Sequence, residues 1–387
     1  MFDVVVVGGG MVGASLALKF SQDGLNVALL EKFPPADLPT AGTFDLRVSA
    51  INRRSERWLT ELGAWQQIPL ERRCPYLRLQ AFEQDPTQAL TFTAAEIQQP
   101  HLGHIIENNQ LQAALWQQFP PNLTLYCPAT ITGLQQHATH ASLQTLEFGQ
   151  IDGRLLIAAD GGHSQLRQLA GIGCQGWQYQ QGCLVATVET AYSQQDITWQ
   201  QFTEQGPRAF LPLPGERASL VWYEALPRVQ ALAALPATEL TQEIKRHFPP
   251  QLGDIKVQQQ SWFALTRMHA NHYSAGRVVL VGDAAHTINP LAGQGVNLGF
   301  ADAQVLAKLV LAAYQAGHDL AAAEVFAKYE QERRKANLIM MTAMDAMYQV
   351  FSHSSPLVRL ARKTGLQIAA NAGPLKSLVG KYAAGLA

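Results

Sequence analysis

The strongest constraint on this 387-residue chain is its opening, "FDVVVVGGGMVGASLALKFSQDGLNVALLEK". Four consecutive valines suit a strand buried on both faces of a parallel sheet. That run ends in Gly8-x-Gly10-x-x-Gly13. The apolar segment that follows reads as a helix closed by Gly24, a C′ glycine. "LNVALLEK" is a second strand, ending in Glu31. Strand, glycine turn, helix and strand of these lengths form a βαβ unit. In such a unit the first glycine allows the tight turn, the second lets backbone approach a pyrophosphate, and the third lets helix and strand pack closely. The helix N-terminus supplies free N–H groups and partial positive charge for phosphate. Glu31 is placed to accept hydrogen bonds from ribose hydroxyls.

A second apolar strand runs into a glycine-rich acidic loop far downstream, "RVVLVGDAAHTINPLAGQGVNLG". Asp283 closes that strand, where a carboxylate faces the crevice at the sheet's edge and can bind the hydroxyls of a linear polyol. A helix starting near Gly295 turns its free N–H groups toward the same crevice and favours negative charge there. Pro290 fixes one φ and offers no donor, while Gly293 and Gly295 leave room for a flat ring against backbone. His286 and Asn297 are the polar side chains nearby; each, taken alone, reads as structural. A third loop, "LLIAADGGHSQLRQLAG", ends a strand in Asp160. Its carboxylate can hold hydroxyls or a phosphate-bearing loop, but taken alone the segment reads as an ordinary strand–turn–helix with an Asp N-cap.

Between these loops the pattern changes. From about Tyr76 to Phe92 and from Cys183 to Trp222, alternating runs such as "CLVATVET", "ITWQQFT", "RAFLPL" and "ASLVWY" read as antiparallel strands. "ENNQLQAALWQQF" is helical, and from Gly295 the chain is helical to its end. The expected fold is α/β. A Rossmann-like nucleotide domain (1–72, 97–180 and 268–330) is interleaved with a mainly antiparallel β-sheet domain (73–96 and 181–267), and a helical C-terminal region (331–387) follows.

A chain this long suits about two or three domains. Its formal net charge of −1 excludes the cationic footprint on which nucleic-acid binding rests. Cys74, Cys127, Cys174 and Cys183 show no metal or CxxC spacing and fit buried thiols in a reducing compartment. No basic leader precedes the first apolar run, and glycines interrupt it. No stretch approaches about 18 uninterrupted apolar residues. A cytoplasmic protein is the expectation.

The three loops, in this order and at these separations, resemble the signature of the single-component flavoprotein aromatic hydroxylases, with the para-hydroxybenzoate hydroxylase fold, over essentially the whole chain. "DLRVSAINRRSERWLTELGAW", "GHIIENNQLQAALW" and "HTINPLAGQGVNLGFADA" are similar to the ubiquinone-biosynthesis branch. The resemblance implies FAD as cofactor, with Gly8, Gly10, Gly13 and Glu31 on its ADP half and Arg47 near its pyrophosphate. It also implies Asn108 against the flavin, Asp160 in a motif tied to FAD and a transient nicotinamide, and Asp283 on the ribityl chain. The 290–295 loop and its flanking Asn297 would line the reactive ring. O2 and a polyprenylated quinol or phenol lipid are the implied substrates, with NADPH, NADH or another reductant as electron donor. The chemistry is the cofactor's, and no amino-acid nucleophile or metal constellation is present to suggest another.

Trp199, Phe202, Phe210, Trp222 and Tyr223 supply aromatic surface for a substrate ring, or pack a half-buried sheet. After Asp345 the chain has no acidic residue, whereas Arg359, Arg362, Lys363, Lys376 and Lys381 follow. That basic end reads as a solvated helical face, or as contact with the inner membrane surface or a biosynthetic complex. Homo-oligomerisation, a sibling phenol hydroxylase acting at another ring position, and a flavin-binding scaffold all stay open on the sequence.

Overall fold

The valine run becomes the middle of a parallel sheet. The computed structural model describes residues 1–36, 38, 43–288, 295–352, 381, 385 and 386. Phe2–Val7 pairs in parallel with Val27–Leu30 on one side and Gly149–Ala158 on the other. Leu123–Tyr126 and Val278–Leu280 extend the sheet outward, again in parallel. With neighbours on both edges and packing on both faces, Val4, Val5 and Val6 have no exposed surface. Helices Met11–Gln22 and Gly295–Gln315 pack against each other beside this sheet. The Gly295–Gln315 helix is long and apolar enough to cross a membrane, yet 67% of its apolar window is buried inside the protein.

The alternating runs form an eight-stranded sheet, mostly antiparallel. Its side chains divide by the period of two that a pleated strand imposes. On Arg217–Ala225, residues Ala218, Leu220 and Trp222 face a core shared with helices Leu226–Ala233 and Ala237–His247. Ser219, Val221 and Tyr223 face the opposite way, into a cavity. Neither helix of that core was anticipated from the sequence. Trp199, Phe210 and Trp222 all lie on the core side with Phe248. Of the five aromatics considered for the substrate ring, Tyr223 lines the cavity.

Two long strands join the halves of the molecule. Cys174–Thr190 and Ile255–Ala270 pair antiparallel, with a register shift between Gln178 and Gly182. The expected boundaries near residues 180 and 267 fall inside these continuous strands. A three-stranded sheet of Val48–Asn52, Gly103–Glu107 and Cys74–Tyr76 lies beside the seam.

All four cysteines are free, and the expectation that they are buried holds for Cys74 and Cys183; Cys127 is half-buried and Cys174 exposed. The C-terminal helix Ala323–Ser352 is present. Of the basic residues after it, Lys381 is described and exposed; Arg359, Arg362, Lys363 and Lys376 lie outside the described residues.

Candidate functional site

The first glycine turn is open where a phosphate would stand. Gly8 has φ +104° and abuts the Ala159 carbonyl, so no side chain fits there. At Gly13 a Cβ would collide with the carbonyl oxygen of Gly8. Around Gly10, by contrast, nothing lies within 4 Å of the place a Cβ would take. The helix behind it begins without a side-chain cap, leaving its first N–H groups free. Glu31 Oε2 accepts from the Gly9 N–H at 2.5 Å, and its Oε1 from the Phe33 N–H at 3.0 Å. The Gly9 carbonyl in turn accepts from Trp116 Nε1 at 2.8 Å and Gln112 Nε2 at 2.9 Å. Sequence reasoning missed this clamp; the one visible signal was a polar residue and a tryptophan one helical turn apart, at 112 and 116, in the helix after Asn108.

These elements open onto a cavity of about 700 Å³. It runs from Gly10 past Gly161 and Gly162 to Asp283 and Gly295. The side chain of Asp283 opens into it, with protein packed around its other sides. That enclosure raises its pKa, and Asp302 adds to the rise, while His286 and Arg47 pull it down.

Several sequence candidates stand behind the cavity wall. His286, 1% exposed, has Nε2 2.5 Å from Asp302 Oδ2. Asp302 also accepts from the Gly282 N–H at 3.1 Å, Arg333 Nε at 2.7 Å and Asn337 Nδ2 at 3.0 Å. Burial pushes the Asp302 carboxyl up, but His286 and Arg333 outweigh it and hold the pKa at about 2. Asn297 is buried as a clamp: its Oδ1 accepts from the Asn52 N–H and Ser55 Oγ, and its Nδ2 donates to the Ala50 carbonyl. Asp160 accepts from Ser164 Oγ and from the N–H groups of Gln165 and Leu166. Its carboxylate thereby caps the Gln165–Leu169 helix, while Gly161, Gly162 and His163 line the cavity. Arg167 ties this loop to the other, donating to the carbonyls of Ala284 and Gly162. Pro290 and Gly293 lie outside the described residues.

A second cavity, of about 690 Å³, lies on the free face of the eight-stranded sheet. Its floor includes Cys183, Val185, Ala209, Leu211, Val221 and Tyr223. The two cavities share Arg47, Val48, Asn108 and Phe263. Arg47 is exposed and, among the described residues, has no ion-pair partner. The loop that carries it is held by Glu107, which accepts from the Asp45 N–H at 2.6 Å and pairs with Arg72 at 3.1 Å. The Arg47 carbonyl accepts from the Asn108 N–H at 2.9 Å, and Asn108 Oδ1 accepts from Ser49 Oγ at 2.7 Å.

A Rossmann-like domain, a mainly antiparallel sheet and two cavities that share residues between them are the architecture of a flavin-dependent oxidoreductase of the monooxygenase type. The chain belongs to the FAD binding domain family, whose model matches residues 1–343. It is 42% identical over 386 residues to the 3-demethoxyubiquinol 3-hydroxylase of Escherichia coli, covering 99% of this chain and 98% of that protein. It is 38% identical to the ubiquinone hydroxylase UbiL of Rhodospirillum rubrum, covering 99% of this chain and 89% of that one. Among solved structures, the p-nitrophenol 4-monooxygenase PnpA of Pseudomonas putida shares the fold, with a TM-score of 0.80 at 20% identity over 98% of this chain and 96% of that one.

Proposed function

We propose that this protein is an FAD-dependent monooxygenase of ubiquinone biosynthesis that hydroxylates the ring of a polyprenylated benzoquinol, namely 2-polyprenyl-3-methyl-6-methoxy-1,4-benzoquinol. The observation that carries the reading is the meeting of two cavities at Arg47, Val48, Asn108 and Phe263. One is long and bordered by a glycine turn and two loops, as a dinucleotide requires. The other is apolar and floored by a sheet, as a ring with a hydrocarbon tail requires.

In this reading Gly8, Gly10, Gly13 and Glu31 hold the ADP half of FAD, Arg47 neutralises its phosphates, and Asp283 binds its ribityl hydroxyls. Gly295 and Val296, at the start of their helix, line the same cavity. FAD supplies oxygen activation and transfer; NADPH, NADH or another reductant supplies electrons. The chain's own work is positioning and the exclusion of water. Burial keeps the Tyr223 phenol and the Cys183 thiol on the cavity floor protonated. Asp302 and Asn297 act at one remove, fixing the turn of Gly282 and the start of the helix that borders the cavity. Support for the substrate comes from the relative in Escherichia coli, similar over its full length. The basic stretch after Asp345 supports a site at the membrane surface or in a complex.

The test is direct. FAD-loaded protein is given reductant, O2 and a short-chain form of the benzoquinol, and the product is sought by mass spectrometry as one added oxygen. Reductant consumption that yields peroxide and no hydroxylated ring with any benzoquinol or phenol of the pathway would refute the proposal.

A further inference from the structure

Phe263 is the residue of the substrate sheet shared by both cavities, and 43% of its surface is exposed. A large apolar side chain left this open is not part of a core, and its place on the strand says why. Phe263 pairs across the ladder with Cys183, on the floor of the apolar cavity. Ala264, Leu265 and Thr266, next along the strand, line the cofactor cavity instead. The strand passes from one cavity to the other at Phe263. Arg47, Val48 and Asn108 border both cavities with it, and they are fixed: Glu107 holds their loop, and Ser49 holds the Asn108 amide. An aromatic side chain therefore shares this junction with a cation and an amide, at the place where a substrate ring must approach the cofactor.

We propose that Phe263 is the partition between the two cavities, a stacking face that holds the substrate ring and sets how closely it approaches the cofactor. The inference rests on the functional reading above. Offset stacking suits a flat, electron-rich quinol and fixes the plane of the ring without a hydrogen bond. Small changes in the placement of reacting atoms carry large changes in rate. Phe263 then governs the fraction of reductant use that ends in hydroxylation, and also which ring position is presented.

The experiment compares FAD-loaded full-length protein with Phe263→Ala, Phe263→Leu and Phe263→Tyr. Iodide quenching of flavin fluorescence needs no substrate. The quenching constant is expected to rise severalfold in Phe263→Ala and to stay near the parent value in Phe263→Leu and Phe263→Tyr. With benzoquinol present, the yield of hydroxylated product per reductant is expected to fall about tenfold in Phe263→Ala, with a raised KM, and to recover in Phe263→Tyr, as loss of an aromatic contact predicts. An alanine variant with parental quenching and parental coupling overturns the proposal. If Phe263→Ala does not retain FAD, parental coupling in Phe263→Leu overturns the stacking role. If the parent protein hydroxylates no benzoquinol, the functional reading fails, and the quenching series still decides the partition.

Discussion

Arg333 Nε lies 2.7 Å from Asp302 Oδ1, and both side chains are buried. Through this pair the Ala323–Ser352 helix is pinned to the back of the turn that carries Asp283, because the other Asp302 oxygen accepts from the Gly282 N–H. Further along, the same helix is held to the long strands by Asp345, 2.6 Å from Arg267 and 2.7 Å from Tyr179 Oη. One helix thus grips both the Gly282 turn and the two long strands.

Removing Arg333 leaves a buried carboxylate short of one of the two partners that hold it ionised. Breaking a buried pair from one side costs about 3–5 kcal/mol, so Arg333→Met is expected to lower unfolding free energy by that order in urea titrations. Retained flavin should fall with it, since the Gly282 turn loses its support. A variant with parental stability and parental FAD content would show that the pair does not hold the turn.

The same network makes the fold sensitive to acid. His269, bonded to Tyr273 Oη at 3.1 Å, has its pKa lowered to about 4 by burial first, and then by the nearby charges of His286, Arg334 and Arg267. An unfolded imidazole titrates near about 6.5. Between those values the unfolded chain binds the extra proton, so stability rises with pH. The contribution is complete above about pH 6.5 and is lost as pH falls toward about 4, with a limiting slope of ~1.4 kcal/mol per pH unit. Urea midpoints followed across this window should show a shallower acid limb in His269→Gln than in the parent. Equal slopes would assign the acid limb to other groups.

Asp283 is expected to matter for the cofactor more than for the fold. Its carboxylate opens into the cavity, and enclosure already raises its pKa. Hydrogen bonds to a charged group contribute about 1.5–3 kcal/mol. Asp283→Ala should therefore weaken FAD binding by about 10- to 100-fold, read from flavin release on dilution. Its thermal unfolding without cofactor should match the parent's. Native FAD affinity in that variant would remove the carboxylate from the ribityl site.

What the sequence made legible follows from which signals are local. A valine run, three spaced glycines and a closing glutamate carry their meaning within 31 residues, and Phe2–Val7, Met11–Gln22 and Val27–Leu30 stand where those signals put them. Asp283 and Gly295 carry local marks too, one after an apolar strand and one at the start of a helix, and both line the cavity. His286 and Asn297, each taken alone, read as structural, and they are buried in hydrogen bonds; which partners hold them was not legible, because Asp302 and Ser55 come from other elements. The aromatic pattern of the antiparallel sheet left two readings open, ring contact or sheet packing, and packing holds for Trp199, Phe210 and Trp222. Alternation shows that two faces exist, but only packing by the Leu226–Ala233 and Ala237–His247 helices decides that Trp222 faces a core and Tyr223 a cavity. Phe263 carried no local mark at all; its position depends on where a long strand crosses from one cavity to the next.

Gly10 and Gly13 are expected to separate cofactor binding from folding within a single turn. A Cβ at Gly13 would meet the Gly8 carbonyl, a backbone atom that cannot move without shifting the strand. Gly13→Ala is therefore expected to destabilise the protein whether FAD is present or not, as overpacking of a close contact does, by about 1–3 kcal/mol. At Gly10 the backbone is in an ordinary extended conformation, with φ −65° and ψ −179°, and no atom stands within 4 Å of a Cβ. Gly10→Val should leave the unfolding curve of the FAD-free protein unchanged while its methyl groups occupy the space of the pyrophosphate. The expected pattern is normal stability with FAD affinity lost for Gly10→Val, and reduced stability for Gly13→Ala, measured by denaturant titration with and without added FAD. If Gly10→Val bound FAD as tightly as the parent, the open space at the turn would not be the phosphate site.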